Sequence, residues 1–215
     1  MRALPEETEF VKYLLNVGNG SLNDNNDLFP VPERCVAPRN DDIVKSMFED
    51  LIKNHRYTDL AKIAVLSARN IDVDDINIEV VELLDKSTEK IYTGIDSTEN
   101  CDNGDIDDAI LPEYLNSLNP PGFPPYQLNL RKNCIVMLLR NLSTNEGLCN
   151  GTRLQILDLA NNLIRCRILT GDKAGNIMFL HRITLYCENI YPFTFKRRQF
   201  PIKIAFAMTI NKSQG

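Results

Sequence analysis

The spacing of apolar residues changes near Pro112, and this change limits the chain to an α/β architecture combined with an all-β part. Before Pro112, apolar residues recur at the three- and four-residue spacing of amphipathic helices, with short β-branched runs between them. After it, strand-like runs follow one another closely and are separated by turn residues. With 215 residues, the chain can form one large domain or two small ones. We therefore expect an α/β domain that carries a small all-β barrel or sandwich.

Three helices and two strands are predicted in the first half. The helices are Glu7–Val17, a second helix whose apolar stripe runs from Ile43 to Ile52 behind Asp41 and Asp42, and a third that Asp72 caps and that runs to Leu84. The strand-like runs are Lys62–Ala68 and Ile91–Ile95. Because these runs flank the third helix, they predict a βαβ-like unit. Residues 19–40 and the acidic segment 96–110 are predicted to be loops.

Five strand-like runs are predicted in the second half, after a linker punctuated by Pro120, Pro121, Pro124 and Pro125. The runs are Cys134–Leu139, Arg153–Leu157, Leu163–Leu169, Asn176–Leu185 and Lys203–Met208. Turn residues such as Asn150-Gly151 and Asn161-Asn162 separate them. This pattern is typical of a small β-barrel or sandwich.

The charge is divided unequally along the chain. Residues 1–115 hold 11 Lys and Arg against 25 Asp and Glu, whereas residues 116–215 hold 13 against 4, so the two parts carry −14 and +9. This asymmetry indicates either a polyanion, such as nucleic acid, bound by the C-terminal half, or an acidic face paired with a basic one inside the molecule.

The C-terminal segment is the first candidate site. A mostly apolar run ending at Met208 is followed directly by Thr209, Asn211, Lys212, Gln214 and Gly215. Ligands of open α/β sheets lie beyond the carboxyl ends of the strands, where Lys212 can supply a positive charge and Gln214 an amide. A polar turn after an edge strand is the alternative explanation.

Basic residues interleaved with aromatic ones form the second candidate site. Lys196, Arg197 and Arg198 lie among Phe193, Phe195 and Phe200, and Arg140 is one of several earlier cations. Cations that contact phosphates, together with rings that stack on bases, grip single strands without reading their sequence. Alternatively, the phenylalanines form a core and the charged side chains only keep its surface solvated. We expect the phenylalanine rings to lie in the core and the three cations at 196–198 to contact nucleic acid.

Several other classes of protein are not indicated. No run reaches the roughly 18 consecutive apolar residues of a membrane span, and the acidic N-terminus is not a secretory signal peptide. The six cysteines form no C-x-x-C pair, which favours reduced thiols in an intracellular protein. Three residues separate Gly147 from Gly151, and Thr-Arg follows, so this segment is not a phosphate-binding P-loop. His55 and His181 have no partner at metal-ligand spacing, and we predict neither a catalytic nor a metal-binding residue.

Nearly the whole chain resembles the Pif-type (petite integration frequency) ATP-dependent DNA helicases, especially those encoded by Helitron transposons. The most specific segments are Val136–Asn141, Gly147–Arg153, Ile168–Gly171, Pro192–Phe200 and Ala205–Gly215, with weaker matches at Phe10–Gly20 and Ala64–Asn77. The family's P-loop, its magnesium-binding acidic motif and its arginine-bearing sixth motif are not found in this sequence. Residues 131–135 depart from a family pattern that has Gly and Pro, and His181 stands where Pro is common.

The resemblance implies part of a two-lobed RecA-like motor with an inserted Src-homology-like barrel. The implied ranges are 1–40 for the tail of the first lobe and a linker, 41–111 for the start of the second lobe, 112–200 for a linker and the barrel, and 201–215 for the return strand. The resemblance also implies that single-stranded DNA is contacted by Thr209, Asn211 and Lys212, and that the nucleotide is faced by Gln214 and Gly215. Contacts with single-stranded DNA are expected as well of the cations Lys196, Arg197, Arg198 and Arg140.

The implied parent enzyme unwinds DNA in the 5′-to-3′ direction with ATP and Mg, and this chain alone is expected to bind no cofactor and to be inactive. Its expected partners are single-stranded DNA and the missing N-terminal lobe, with no membrane. An intracellular, nuclear location and roles in DNA repair, recombination and telomere maintenance are implied. The alternatives are a non-catalytic single-strand-binding module and an inactive transposon remnant.

Overall fold

The chain divides into two compact units, Met1–Asp42 and Ile43–Gly215. The computed structural model describes residues 7–38, 41–60, 62–99 and 111–210. The first unit contains helix α1 (Thr8–Gly18), which confirms the predicted first helix, and a 3₁₀ turn at Glu33–Cys35. Gly20 has a φ of 70°, a left-handed conformation that glycine adopts without steric cost, and it lies in the turn after α1.

The helices of the second unit are short except for one. They are a π-helical segment (Lys45–Glu49) continuing into α2 (Asp50–Lys53), then α3 (Tyr57–Leu60), α4 (Asn70–Leu83) and α5 (Pro112–Ser117). The predicted apolar stripe is confirmed, since Val44, Phe48 and Ile52 are buried. Helix α4 begins before its predicted cap, so Asp72 lies inside the first turn rather than at the cap position.

Twelve strands are seen in the described part of the second unit, and they form four sheets. They are β1 (Val65–Ser67), β2 (Lys90–Thr93), β3 (Ile95–Glu99), β4 (Gln127–Leu130), β5 (Ile135–Leu138), β6 (Arg153–Leu159), β7 (Ile164–Ile168), β8 (Ile177–Leu180), β9 (Ile183–Cys187), β10 (Thr194–Gln199), β11 (Ile202–Ile204) and β12 (Ala207–Thr209). The sheet orders are β1-β12, β2-β4, β3-β10-β9 and β11-β5-β6-β7-β8. Among the strands of the described residues, only β1 and β12 pair in parallel.

The predicted βαβ unit is wrong in its second strand. β1 pairs in parallel with β12 at the far end of the chain, whereas β2 pairs antiparallel with β4. The physical reason lies in the burial patterns. β2 alternates between exposed and buried residues, as a half-buried antiparallel strand does, while Ala207 and Met208 of β12 are both buried, as parallel strands require.

Three further predictions are corrected by the pairing. Ile95–Glu99 is a strand rather than the start of an exposed loop. The remainder of the predicted loop, residues 100–110, lies outside the described residues. The run Asn176–Leu185 is divided into β8 and β9, and the run Lys203–Met208 into β11 and β12. The other three C-terminal runs are confirmed as β5, β6 and β7.

One continuous apolar core joins the helices to the five-stranded sheet. It extends from Val44 through Val80 and Leu154 to Ala207, and a smaller core gathers Phe193 and Phe195 with residues of α5 and β9. Within the described residues each sheet is open, so the closed barrel stays a prediction.

Candidate functional site

The parallel pair β1-β12 places two hydroxyl side chains at the same end of its two-stranded sheet. Ser67 and Thr209 are register partners at the carboxyl ends of the two strands, and both are half-buried. Because the carboxyl ends of parallel strands meet at one edge, this is the place where open α/β sheets bind ligands. Thr209 is the last residue of β12 rather than a residue beyond the strand, and its contact with a ligand stays a prediction.

A buried asparagine of α4 fixes β12 in this position. The Asn77 Oδ1 atom accepts hydrogen bonds of 2.9 Å from the backbone N–H groups of Phe206 and Ala207, and its amide donates to the Ala207 carbonyl at 3.2 Å. Sequence reasoning assigned no role to Asn77. The available signal was its spacing, since a polar residue between Val73 and Val80 lies on the apolar face of a helix.

A small polar cluster borders the same edge at the start of α4. The Ser67 hydroxyl donates to Asp72 at 2.9 Å, and the Arg69 guanidinium donates to both carboxylate oxygens of Asp72 at 3.0 and 2.6 Å. Arg69, and then Ser67, hold the pKa of the Asp72 carboxyl below its usual value. The carboxylate charge is thus offset by a neighbouring cation, which leaves the edge less negative than the sequence of α4 suggests.

Asn211, Lys212, Gln214 and Gly215 lie outside the described residues, so their assignment to a strand or to a nucleotide stays a prediction.

Strand β10 separates its basic residues between two environments. Side chains of a strand alternate between its faces, and Phe195, Arg197 and Gln199 are buried whereas Arg198 is exposed and Lys196 is half-buried. Lys196 lies opposite Tyr186 and Arg198 opposite Thr184 on the neighbouring strand. We call the surface formed by Lys196, Arg198, Tyr186 and Thr184 the β10 face. Lys196 also forms an ion pair of 3.4 Å with Glu99.

Arg197 does not share that surface. Its guanidinium is 0% exposed and donates two hydrogen bonds of 2.7 Å to the Asp96 carboxylate. It also donates to the carbonyls of Pro124 and Leu115 and lies 5.1 Å from the centre of the Phe195 ring. Because every part of the guanidinium is engaged inside the protein, we remove Arg197 from the residues proposed to contact a ligand.

The aromatic residues near β10 are in the core, as expected. Phe193, Phe195 and Phe200 are all buried. Arg140 connects to this cluster from outside, since its guanidinium lies 5.6 Å from the centre of the Phe123 ring, which is 5.9 Å from that of Phe195. Its Nη1 donates to the Leu139 carbonyl at 3.0 Å, so Arg140 is held in place and half-buried.

Two other arginines connect the parts of the second unit. Arg131 donates to the carbonyls of Val81, Glu82 and Leu84 at the end of α4 and pairs with Glu89 at 2.8 Å. Arg153 of β6 donates to the carbonyls of Ile63 and Ala205, which precede β1 and β12. These buried contacts tie the antiparallel sheets to the parallel pair and have a structural role.

The described residues give no indication of a metal site or of a membrane-spanning helix. They contain no group of three His, Cys, Asp or Glu side chains that could hold a metal ion. None of the helices in that part of the chain is long and apolar enough to cross a membrane.

The sequence is similar to one family of helicases. The family model "DNA helicase Pif1, 2B domain" matches residues 113–159. The ATP-dependent DNA helicase PIF1 of Xenopus laevis is 31% identical over 115 residues, which are 50% of this chain and 16% of that protein. Its human counterpart is 31% identical over 107 residues, which are 48% of this chain and 16% of that protein. The chain thus spans about one sixth of the length of these curated relatives.

The fold is similar to solved structures of the same family. The Pif1 helicase from Candida albicans matches with a TM-score of 0.62 at 17% identity, covering 98% of this chain and 46% of that one. Bacteroides Pif1 in complex with ADP-AlF4 matches with a TM-score of 0.51 at 21% identity, covering 97% and 40%. Bacteroides Pif1 bound to ssDNA matches with a TM-score of 0.50 at 21% identity, covering 83% and 42%. The resemblance to the Pif-type helicases is confirmed, as is a mixed helix and strand fold like theirs.

Proposed function

Starting from the relationship to the Pif1-type DNA helicases, we propose that this chain is a C-terminal portion of an ATP-dependent 5′-to-3′ helicase motor. In this proposal the parallel pair and α4 belong to the second RecA-like lobe. That lobe begins with residues 41–111 and is completed by residues 201–215. Residues 112–200 are the linker and the inserted Src-homology-like barrel, and 1–40 belong to the end of the first lobe. A nuclear location, a Helitron origin and roles in repair, recombination and telomere maintenance belong to the same proposal.

The observation that carries the proposal is the pairing of β1 with β12. It joins segments separated by the whole antiparallel region and sets Thr209 beside Ser67 at the carboxyl edge. A motor that moves on a strand needs its strand contacts close to the ends of its central parallel strands, where ligands of such sheets bind. The match of residues 113–159 to a Pif1 2B domain supports the same assignment for the intervening region.

Single-stranded DNA is the proposed partner, together with the other lobe of the motor. The proposed contacts are Thr209, Lys196 and Arg198, with Arg140 as a further cation, and Asn211 and Lys212 by resemblance. The β10 face suits this role because two cations and the exposed Tyr186 ring share it. Cations contact the phosphates, and a ring offers a stacking surface to a base.

ATP, with Mg, is proposed as the fuel of the parent enzyme and not of this chain alone. Phosphoryl transfer depends on a P-loop lysine, a magnesium ion and an arginine finger. The sequence contains no G-x-x-x-x-G-K-[ST] segment to supply the first of these. Gln214 and Gly215, the residues proposed to face the nucleotide, lie outside the described residues. We expect ATP turnover by the isolated chain to stay below about 1 s⁻¹, the low end of ordinary enzymes, with or without single-stranded DNA.

The strand contact is tested by binding a fluorescently labelled single strand to wild type and to Lys196→Gln/Arg198→Gln. Each phosphate contact on single-stranded DNA contributes about 0.7 to the slope of log affinity against log salt, so the double variant should lose roughly 1.4 of that slope. The matched control is Lys53→Gln/Arg56→Gln, which removes the same charge from exposed positions around α2. An equal loss in both variants would reduce the effect to overall charge and contradict the proposed β10 contact.

A non-catalytic single-strand-binding module is the second candidate function. The β10 face favours it, because its contacts require no nucleotide. The two functions can be distinguished by reading the coding sequence that flanks this segment on both sides. A P-loop motif upstream and an arginine-bearing motif downstream would favour the helicase motor. An inactive transposon remnant is the third possibility, and broad thermal unfolding without a cooperative transition would support it.

A further inference from the structure

The outer face of strands β7 and β8 presents an exposed aromatic ring between cations. Arg165 is the register partner of Phe179, and Arg167 is the register partner of Ile177. Register partners in an antiparallel pair project from the same face of the sheet, so these four side chains are neighbours. Phe179 and Ile177 are each 56% exposed. We call this surface the β7–β8 face; it belongs to a different sheet from the β10 face.

Two hollows adjoin the Phe179 ring. One has a volume of about 470 Å³, with apolar walls that include Leu148, Ile168 and Met178. Its polar and charged groups come from Asn145, Glu146, Lys173 and Asn176. The other has a volume of about 220 Å³ and includes Arg165 and Leu163. The larger hollow is within the range of roughly 300–1,000 Å³ usual for small-molecule sites. Phe179 is common to both hollows, so flat groups can approach it from more than one side.

The cations of this face form no ion pair with Asp158, although Lys132, and to a smaller extent Arg165, lower the pKa of its carboxyl. Asp158 lines the smaller hollow and is the register partner of Arg165, yet its carboxylate pairs with Lys132 at 2.9 Å. No described carboxylate lies within ion-pair distance of Arg165 or Arg167. The face therefore combines an exposed ring with two positive charges, in the half of the chain that carries +9.

We propose that the β7–β8 face binds an unpaired stretch of nucleic acid, with a base stacked on Phe179 and the adjoining phosphates held by Arg165 and Arg167. Stacking on an aromatic ring accepts any base, and guanidinium groups contact phosphates that every nucleotide carries, so recognition is independent of sequence. The ligand of this second contact is the same as that of the β10 face, and the inference rests on the proposed function only for the choice of that ligand.

An extended peptide is the competing occupant, because β8 is the outermost strand of its sheet. A peptide added to β8 would be held by backbone hydrogen bonds and by apolar side chains in the hollows. The two cations favour nucleic acid, since they add nothing to backbone pairing and are complementary to phosphate.

The test uses the full 215-residue chain and two labelled probes of equal length, a thymidine 20-mer and a 20-mer in which the central bases are abasic. Both probes carry the same phosphates, so their difference isolates stacking. We expect Phe179→Ala to weaken thymidine-strand binding about tenfold, and Phe179→Tyr to retain it, because a tenfold effect lies within the range that base stacking on one ring contributes. Binding of the abasic probe should change by less than about twofold in both variants, since the phosphate contacts remain.

Two matched controls complete the design. Tyr114→Ala removes another exposed ring, 51% exposed, and should leave both affinities unchanged. Arg165→Gln/Arg167→Gln should weaken binding of both probes and lower the salt slope by roughly 1.4. A thymidine affinity unchanged in Phe179→Ala, or a loss of equal size on the abasic probe, overturns the inference and leaves the peptide as the occupant to examine.

The outcome also distinguishes this inference from the proposed function. If Lys196→Gln/Arg198→Gln weakens binding while Phe179→Ala does not, the β10 contact stands and the β7–β8 contact fails. If only Phe179→Ala weakens binding, the reverse holds. If wild type binds neither probe, both fail together.

Discussion

Replacing Asp96 by alanine should strongly destabilise the second unit. The Asp96 and Arg197 side chains are 1% and 0% exposed and are joined by two hydrogen bonds of 2.7 Å. Removing the carboxylate leaves the guanidinium buried without a counter-charge, which costs about 3–5 kcal/mol. For a unit of this size, each kcal/mol lowers Tm by about 2–4 °C, so we expect a fall of roughly 6–20 °C.

Glu99→Ala is the matched control, because it removes a carboxylate from the same strand. Glu99 is 48% exposed and lies 3.4 Å from Lys196. Exposed ion pairs contribute about 0–1 kcal/mol, so this variant should unfold close to wild type. The measurement is thermal unfolding followed by circular dichroism, with denaturant unfolding to obtain the free energy.

The double variant Asp96→Ala/Arg197→Met examines the cause of the loss. It has no buried charge at this site, and it should therefore be more stable than Asp96→Ala alone. If Asp96→Ala costs no more than Glu99→Ala, or if the double variant is the less stable of the two, the argument from an uncompensated buried charge is refuted.

Two further predictions concern the α4–β12 contact and the thiols. Asn77→Ala leaves the buried N–H groups of Phe206 and Ala207 without an acceptor and should lower the free energy of unfolding by about 2–4 kcal/mol. Denaturant unfolding measures this loss, and a loss below about 1 kcal/mol would contradict the anchoring role of Asn77. Burial raises the pKa of the Cys134 and Cys166 thiols to about 12. At pH 8 both thiols should therefore stay protonated and should not react with a thiol reagent until the chain unfolds, whereas the exposed Cys35 should react at once. Rapid modification of either buried thiol, located by mass spectrometry of the native protein, would contradict their burial.

Local periodicity was sufficient to predict several elements. Helix α1, the stripe from Val44 to Ile52 and strands β5 to β7 follow apolar spacing that a single segment determines by itself. The partner of β1 could not be predicted in this way, because pairing depends on residues far along the chain.

Strand β10 shows why the candidate site was predicted only in part. Two of its three inward positions are Arg197 and Gln199, so the alternation of apolar and polar residues that identifies a half-buried strand is hidden. The burial of Arg197 depends on Asp96, which is 101 positions earlier in the sequence. No local pattern distinguishes such a cation from the exposed Arg198 next to it.

The pairing of β1 with β12 has a consequence for how the nascent chain folds on the ribosome. Val65 must wait for Ala207, about 140 residues later, before its strand has a partner. At roughly 5–20 residues per second, synthesis of that stretch takes about 7–30 s, during which Leu66 and its neighbours have no sheet to join. Strands β5 to β8, which pair with one another in sequence order, can assemble during that interval. The parallel pair can therefore form only after those strands have been synthesised, and a pause just before residue 207 would prolong the exposure of β1.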